Sequence, residues 1–217
     1  MDIAVLGLGV FGIKLARELH ALGHTVLAVD NNQDNTTAVK DSVAQAVIAD
    51  VTDEDVIREL DLGSFDIVVV CMSDHLENMI LCTTHVKKTG VKRLIAKVNT
   101  GIHREILLKL GADEVIQPEE QAAIRLAKSV SVPSISEIYK AKNGYIARVQ
   151  VQPSMIDKTL KELDWRNKFN ISVVMIRRET QDEPELIWDP TTVLEHGDEL
   201  TVLGREEDIE RCFGATT

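Results

Sequence analysis

Over the first 130 residues, short β-rich apolar runs alternate with longer helical stretches, the pattern of βαβ units wound around a parallel sheet. The runs predict strands at Ile3–Leu6, Thr25–Val29, Ala46–Ile48, Ile67–Cys71, Leu94–Lys97 and Glu114–Ile116. Ile67–Cys71 is unbroken apolar, as a strand covered on both faces should be, and is placed near the centre. Helices are predicted near 11–22, 34–41, 53–60, 75–88 and 101–110. Thr52 or Asp53 precedes the third, and Gly90 and Gly111 follow the last two. The predicted class is α/β with a doubly wound parallel sheet, whose right-handed crossovers carry the first βα turn to the carboxyl edge, where such sheets bind ligands.

A further helix is predicted from Pro118 to about Val130, and Ser129-Val130-Ser131-Val132-Pro133-Ser134 has the polar, proline-broken character of a linker. This divides the chain into a first domain over 1–130 and a second over 134–217. In the second, strands are predicted near Tyr145–Val151, Ile171–Arg177 and Glu199–Leu203, helices near Lys158–Leu163 and Glu206–Cys212, and a hairpin turn at Asn143-Gly144. The result is a small α+β domain of about 80 residues.

Composition narrows the function. The 217 residues are 44% hydrophobic and 27% charged, which supplies a buried core and excludes disorder. The net charge of −11 is spread over both parts: 13 basic against 19 acidic residues up to 130, and 11 against 16 beyond. Without a basic face there is nothing to neutralise a phosphate backbone, so a nucleic-acid partner is excluded and anionic lipid is disfavoured. No apolar run approaches the roughly 20 residues of a membrane span, and the chain enters a strand pattern at once, so a soluble, cytoplasmic protein is expected. Cys71, Cys82 and Cys212 show neither metal nor redox spacing and read as reduced and structural.

The chemistry concentrates at Gly7-Leu8-Gly9-Val10-Phe11-Gly12, a GxGxxG that follows a strand and opens a helix. Gly7 allows the tight turn, Gly9 lets backbone approach phosphate, and Gly12 lets helix and strand pack closely, which identifies a Rossmann-type nucleotide-binding unit. Helix N-terminal N–H groups then face the phosphates. Asp30 ends the second strand, 18 residues after Gly12, where a carboxylate accepts hydrogen bonds from the ribose hydroxyls; Asn31 and Asn32 follow it. A 2′-phosphate would meet the charge of Asp30 with no Arg or Lys beside it, which disfavours an NADP-type ligand.

Other residues belong to the same edge. Asp50 and Val51 follow the third strand and could contact adenine; Asp50 could equally cap the next helix. Ser73 and Asp74 follow the fourth strand. Lys97 ends the fifth, placed either to meet a polyphosphate or to stand as a solvated strand-end lysine. None of the six histidines falls in a metal-ligand spacing, no Ser or Cys lies in a nucleophile elbow, and His75 reads as a surface residue before an acid–base group. Only about 80 residues remain to close over a nicotinamide, too few for the usual catalytic partner of a dehydrogenase. The reading is therefore a nucleotide sensor and not an enzyme; a small NAD-dependent oxidoreductase, resting on the glycine turn and Asp30 alone, is the alternative.

In the first domain, Val5-Leu6-Gly7-Leu8-Gly9-Val10-Phe11-Gly12, Leu19-His20-Ala21-Leu22-Gly23-His24 with Val26-Leu27-Ala28-Val29-Asp30, and Leu110-Gly111-Ala112-Asp113-Glu114-Val115-Ile116 with Pro118-Glu119 form a characteristic set. In the second, Leu194, Gly197-Asp198, Leu200, Val202 and Gly204 form another. Together they resemble the RCK or KTN regulatory subunits (TrkA-N followed by TrkA-C) of Ktr- and Trk-type potassium uptake systems. The resemblance implies homodimers assembled into an octameric ring on the cytoplasmic face of a separate potassium-translocating membrane subunit, gated by ATP, ADP, AMP or NAD(H). It also implies a divalent or monovalent cation near Glu119 at the dimer interface, where the alternative role is a first-turn carboxylate. Cyclic di-AMP between two TrkA-C domains is implied too, with Ile171–Arg177 and Arg178 at that interface or, alternatively, in an ordinary dimer strand. Many ATP-responsive relatives carry arginine where this chain has Val10, which leaves the choice among nucleotides open.

Overall fold

A computed structural model describes residues 1–72, 75–131, 134–141 and 143–214. The first unit, Met1–Glu120, alternates strand and helix throughout: β1 (Asp2–Leu6), α1 (Val10–Ala21), β2 (Thr25–Asp30), α2 (Gln33–Val39), β3 (Gln45–Ile48), α3 (Glu54–Glu59), β4 (Ile67–Val70), α4 (Leu76–Lys88), β5 (Leu94–Lys97), α5 (Gly101–Lys109) and β6 (Glu114–Ile116). The six strands form one parallel sheet in the order β3-β2-β1-β4-β5-β6. The order reverses at β1 and β4, so the turn after β1 opens at the switch point, where doubly wound sheets bind ligands.

Alternation within the strands explains the two layers. Ala4 and Leu6 of β1 join Leu27, Val29, Val68, Val70 and Leu94 in a core beneath Met79, Cys82, Val86 and Leu107 of α4 and α5. Ile3 and Val5 point the other way, with Val26, Ala28 and Val69, against Ala16 of α1 and Val39 of α2. Both faces are apolar because both are covered, which is why these strands read as continuous hydrophobic runs. Helix entries are capped by side chains: Asn32 accepts from the Asp34 N–H at 2.7 Å, Asp53 from the Asp55 N–H at 2.8 Å, and Thr100 from the His103 N–H.

α6 (Pro118–Ser131) runs from the first unit into the second, Gln121–Thr217. Ser129, Val130 and Ser131 are helical and not linker, since the α6 hydrogen-bond ladder runs on through them and Ser131 Oγ donates to the Ala127 carbonyl at 2.7 Å. Val132 and Pro133 lie outside the described residues. The second unit continues with β7 (Ile135–Ala141), β8 (Gly144–Gln150), α7 (Leu160–Leu163), α8 (Trp165–Phe169), β9 (Ser172–Arg177), β10 (Glu185–Leu186), β11 (Glu199–Gly204) and α9 (Glu206–Phe213). Its strands form an antiparallel sheet in the order β10-β9-β11-β8-β7.

One face of this sheet is buried, with Ala147, Val149, Leu200, Val202 and Ile176 packed against Trp165, Ile209 and Phe213. The Trp165 and Phe213 rings meet edge to face, with centroids 5.1 Å apart. The sequence reading did not include α8 or β10, and it differed at two further points. β7 was not expected, because a register shift between Ile135 and Glu137 puts Ile135 and Ile138 on the same buried face, three residues apart, and breaks the alternation that marks a strand. Gly144, predicted as half of the hairpin turn, instead begins β8, where it pairs with Ala141; Lys142 lies outside the described residues.

Candidate nucleotide-binding site

Three glycines with different surroundings shape the turn after β1. Gly7 has φ of +94°, a conformation L side chains rarely adopt, and a Cβ there would come within 2.9 Å of the Met72 backbone nitrogen. At Gly12, within the first turn of α1, a Cβ would stand 2.0 Å from the Gly7 carbonyl oxygen, so turn and helix interlock only without a side chain. Gly9 is the N-cap of α1 and makes no side-chain cap; a Cβ there would meet no protein atom within 4 Å. The positive end of α1 therefore opens on space that the protein leaves free.

Asp30, at the end of β2, is tied to this turn. Its Oδ2 accepts the Leu8 N–H at 2.5 Å, and its Oδ1 accepts the Asn32 N–H at 2.8 Å and the Asn35 side-chain amide at 3.2 Å. A carboxylate has about four acceptor positions, so the three bonds leave it one further lone pair for a hydroxyl donor. Asp30 is thus a brace for the glycine turn as well as a candidate ribose ligand.

A cleft of about 310 Å³ gathers Gly7, Gly9, Asp30, Asn31, Asp50 and Val51 together with Asn32, Asn35, Ala49, Cys71, Met72, His75 and Asn78. Asp50 does not cap α3, a role that Asp53 takes. Its Oδ1 accepts the Thr52 hydroxyl at 2.7 Å and the Thr52 N–H at 3.0 Å, which holds its carboxyl below the usual aspartate range. Cys71 contributes wall and not reactivity, because burial pushes its thiol up to about 12. Asn35, Met72 and Asn78 gave no motif in the sequence; they reach the cleft through the pitch of α2 and α4 and the turn after β4.

Other predicted residues stand apart from this cleft. The Leu8 side chain is fully buried and its N–H is taken by Asp30, whereas Val10 is 93% exposed at the start of α1. Phe11 is half-buried on the layer that includes Ala16. Ser73 and Asp74 lie outside the described residues. Lys97 is no solvated strand end: only 4% exposed, it places Nζ 2.7 Å from Glu119 Oε1, 3.2 Å from Asn99 Oδ1, and 5.9 Å from the Phe11 ring centroid. Lys97 in turn holds the Glu119 carboxyl below its ordinary value. This pairing was invisible in the sequence, where the two residues are 22 positions apart.

In the second unit, Arg178 Nη1 donates to Asp198 Oδ2 at 2.6 Å and to the Val193 carbonyl at 3.1 Å, and Arg177 Nε donates to Glu199 Oε1 at 3.3 Å. Both guanidinium groups of the predicted interface are therefore engaged within the fold. Among the described residues no cluster of three or more His, Cys, Asp or Glu side chains forms a metal site, and no helix is long and apolar enough to cross a membrane.

Residues 3–118 match the TrkA-N domain and residues 145–213 the TrkA-C domain. The chain belongs to the TrkA-N/TrkA-C family. It is 32% identical over 213 residues to the Ktr system potassium uptake protein C of Bacillus subtilis, covering 97% of this chain and 95% of that one. It is also 32% identical over 211 residues to the Ktr system potassium uptake protein A of Vibrio alginolyticus, covering 96% and 94%. Among solved structures, the GsuK channel bound to NAD shares the fold over the whole of this chain, with a TM-score of 0.69 and 20% identity, this chain spanning 40% of that one. The switch-point cleft described above thus belongs to the TrkA-N domain. The antiparallel sheet from β8 onward, with α9, is the TrkA-C domain, and β7 precedes the matched segment.

Proposed function

We propose that this protein is the cytosolic, nucleotide-sensing regulatory subunit of a Ktr- or Trk-type potassium uptake system, acting by binding and not by catalysis. The observation that carries this reading is the full-length relationship to two Ktr potassium uptake proteins. The ligand is an adenine nucleotide, ATP, ADP, AMP or NAD(H), with the phosphates at the turn of Gly7, Gly9, Val10, Phe11 and Gly12, in which Leu8 serves through its bond to Asp30. The ribose lies at Asp30 and Asn31, the base beside Asp50 and Val51, and the distal end of the ligand toward Ser73 and Lys97. The free N-terminus of α1 and the remaining lone pair of Asp30 support this arrangement, and the NAD-bound GsuK channel supports the ligand class.

The domains are taken as 1–130, including α6 as a crossover helix, and 134–217. Homodimers built into an octameric ring dock on a membrane subunit that carries potassium. Exposed apolar side chains support such self-association: Ile124, Leu126 and Val130 on α6, and Ile146 and Leu203, directly opposite each other on the outer face of the second sheet. Nucleotides act by unequal affinity for ring conformations, the sole way a ligand moves such an equilibrium. A cation at Glu119 and cyclic di-AMP between TrkA-C domains are the further ligands to titrate; a cation at Glu119 must compete with Lys97.

The test is calorimetric titration with ATP, ADP, AMP, NAD⁺ and NADH, followed by potassium flux in liposomes containing the membrane subunit with and without this protein. Flux that changes with the bound nucleotide supports the proposal, and flux indifferent to this subunit under every nucleotide condition overturns it. Val10→Arg raises affinity for ATP over ADP if that slot faces the terminal phosphate; equal effects on both disconnect it from nucleotide choice.

A further inference from the structure

A cavity of about 600 Å³ lies wholly within the second unit, between α6 and the paired strands β7 and β8. One wall is a helix face: Gln121, Ile124, Arg125 and Lys128 recur at the three- and four-residue spacing that puts side chains on one side of α6. The other wall is the end of the sheet. Ile138 is buried, Lys140 follows it two positions on along β7, and Tyr145 of β8 pairs with Lys140 across the strands. All of these except Tyr145 fall between the TrkA-N match, which ends at 118, and the TrkA-C match, which begins at 145. The cavity shares no residue with the nucleotide cleft.

Charge of one sign meets aromatic and apolar surface here. Arg125, Lys128 and Lys140 line the cavity and, among the described residues, no carboxylate does, although the chain as a whole carries −11. Arg125 Cζ stands 5.7 Å from the Tyr139 ring centroid, and Lys128 Nζ 5.2 Å from that of Tyr145. Such contacts hold a cation on a ring without neutralising it. Lys128 is also paired with Glu206, whereas Arg125 and Lys140 have no ion-pair partner among the described residues. The Glu137 carboxylate accepts the Tyr139 hydroxyl at 2.9 Å and is already engaged by Arg148 at 3.5 Å. The local field therefore favours an anion. The volume falls within the roughly 300–1,000 Å³ of small-molecule sites, and an inorganic anion would leave Ile124, Ile138 and the rings without a partner.

We propose that this cavity binds a small amphipathic organic anion, a carboxylate, sulfonate or phosphate monoester carried on an aromatic or apolar body. The acid group is held by Arg125 and Lys140, and the body lies against Tyr139, Ile124 and Ile138. Bound there, the ligand ties α6 to β7 and β8. It is a second input to the protein, and it does not depend on the nucleotide reading above.

Two fluorescent probes test this: anilinonaphthalene sulfonate, which has both features, and phenylnaphthylamine, the same body without the acid group. Each is titrated into the full-length protein, into Arg125→Gln/Lys140→Gln, into Tyr139→Ala, and into Arg104→Gln/Lys109→Gln, which removes the same charge from α5. The sulfonate should bind the parent saturably and weaken about five- to tenfold in Arg125→Gln/Lys140→Gln, while the amine is unchanged. Tyr139→Ala should weaken both probes, and the α5 pair neither. Hydrogen exchange supplies a second readout, in which the sulfonate slows the amides from Ile124 to Lys128 and from Gly144 to Ile146. No saturable binding, equal loss in the α5 pair, equal loss of the amine in Arg125→Gln/Lys140→Gln, or no protection at those amides overturns the proposal. So does sedimentation in which Arg125→Gln/Lys140→Gln changes subunit association and leaves sulfonate affinity intact, since the occupant is then a second copy of this chain. Should Tyr139→Ala fail to fold, the two charge pairs still decide.

Discussion

The parallel and antiparallel sheets solve the burial problem in opposite ways, and the difference explains where the candidate site sits. In the first unit, helices cover both faces of the sheet, so Ile3 and Val5 are as buried as Ala4 and Leu6. The strands all point one way, and their carboxyl ends collect Gly7, Asp30, Asp50 and Lys97 on one edge. In the second unit successive strands reverse, so no single edge collects strand ends. Its sheet buries Ala147 and Val149 while Ile146 and Arg148 face outward. The first sheet is built to present an edge and the second to present a face.

The largest expected effect breaks the second core. Phe213 is fully buried against Trp165, and Phe213→Ala should destabilise the second unit by about 3–5 kcal/mol. Chemical denaturation should then show an early transition, with nucleotide binding by the first unit retained; one unshifted transition would refute separate cores. Next comes the glycine pair. Gly12→Ala forces a Cβ to 2.0 Å from the Gly7 carbonyl and should destabilise the first unit by about 3 kcal/mol. Gly9→Ala meets no protein atom and should leave the denaturation midpoint in place, weakening nucleotide binding alone. Equal stability losses in the two would show that Gly9 serves packing and not a ligand.

A smaller effect separates the two roles of Asp30. Asp30→Asn keeps one acceptor for the Leu8 N–H but loses the charge, and should weaken AMP binding at least tenfold, about 1.4 kcal/mol, with less change in stability. Unchanged affinity by calorimetry would leave Asp30 a brace and nothing more. The smallest concerns acid. The Asp113 carboxylate accepts the Leu94 N–H at 2.7 Å and pairs with Lys87 at 3.1 Å, and these bonds, the backbone one first, hold it below its ordinary value against a smaller opposing effect of burial. A depressed carboxyl contributes stability above its unfolded-state value near 3.9 and loses it as pH falls through the lower folded value. Asp113→Asn should therefore flatten the decline in first-unit stability below about pH 4, screened in part because the pair is exposed. An unchanged acid profile would remove Asp113 from that account.

The TrkA-N domain was readable because its signals are local. A strand, a GxGxxG and an acidic residue at the next strand end lie within 30 positions, and covered parallel strands announce themselves as apolar runs. The TrkA-C domain was less readable because its sheet is half-exposed and irregular. The extra residue near Ser136 placed Ile135 and Ile138 three apart, so β7 matched neither strand nor helix spacing. Asp30 was legible as a candidate ribose ligand but not as the acceptor of the Leu8 N–H, since nothing in a sequence shows which backbone donor a carboxylate will meet.

By itself, then, the order of residues determined the parallel α/β unit, its glycine turn, the acidic residue at the next strand end and the family, because each depends on spacing along one strand–turn–helix segment or on a set of matched motifs. Only the tertiary structure decided that Asp53 and not Asp50 caps α3, that Asn35 and Asn78 join the cleft, and that Lys97 is buried on Glu119. Those are contacts between elements, set by how helices lie on a twisted sheet, and a buried cation takes the anion that packing brings within reach, however far away it stands in the chain.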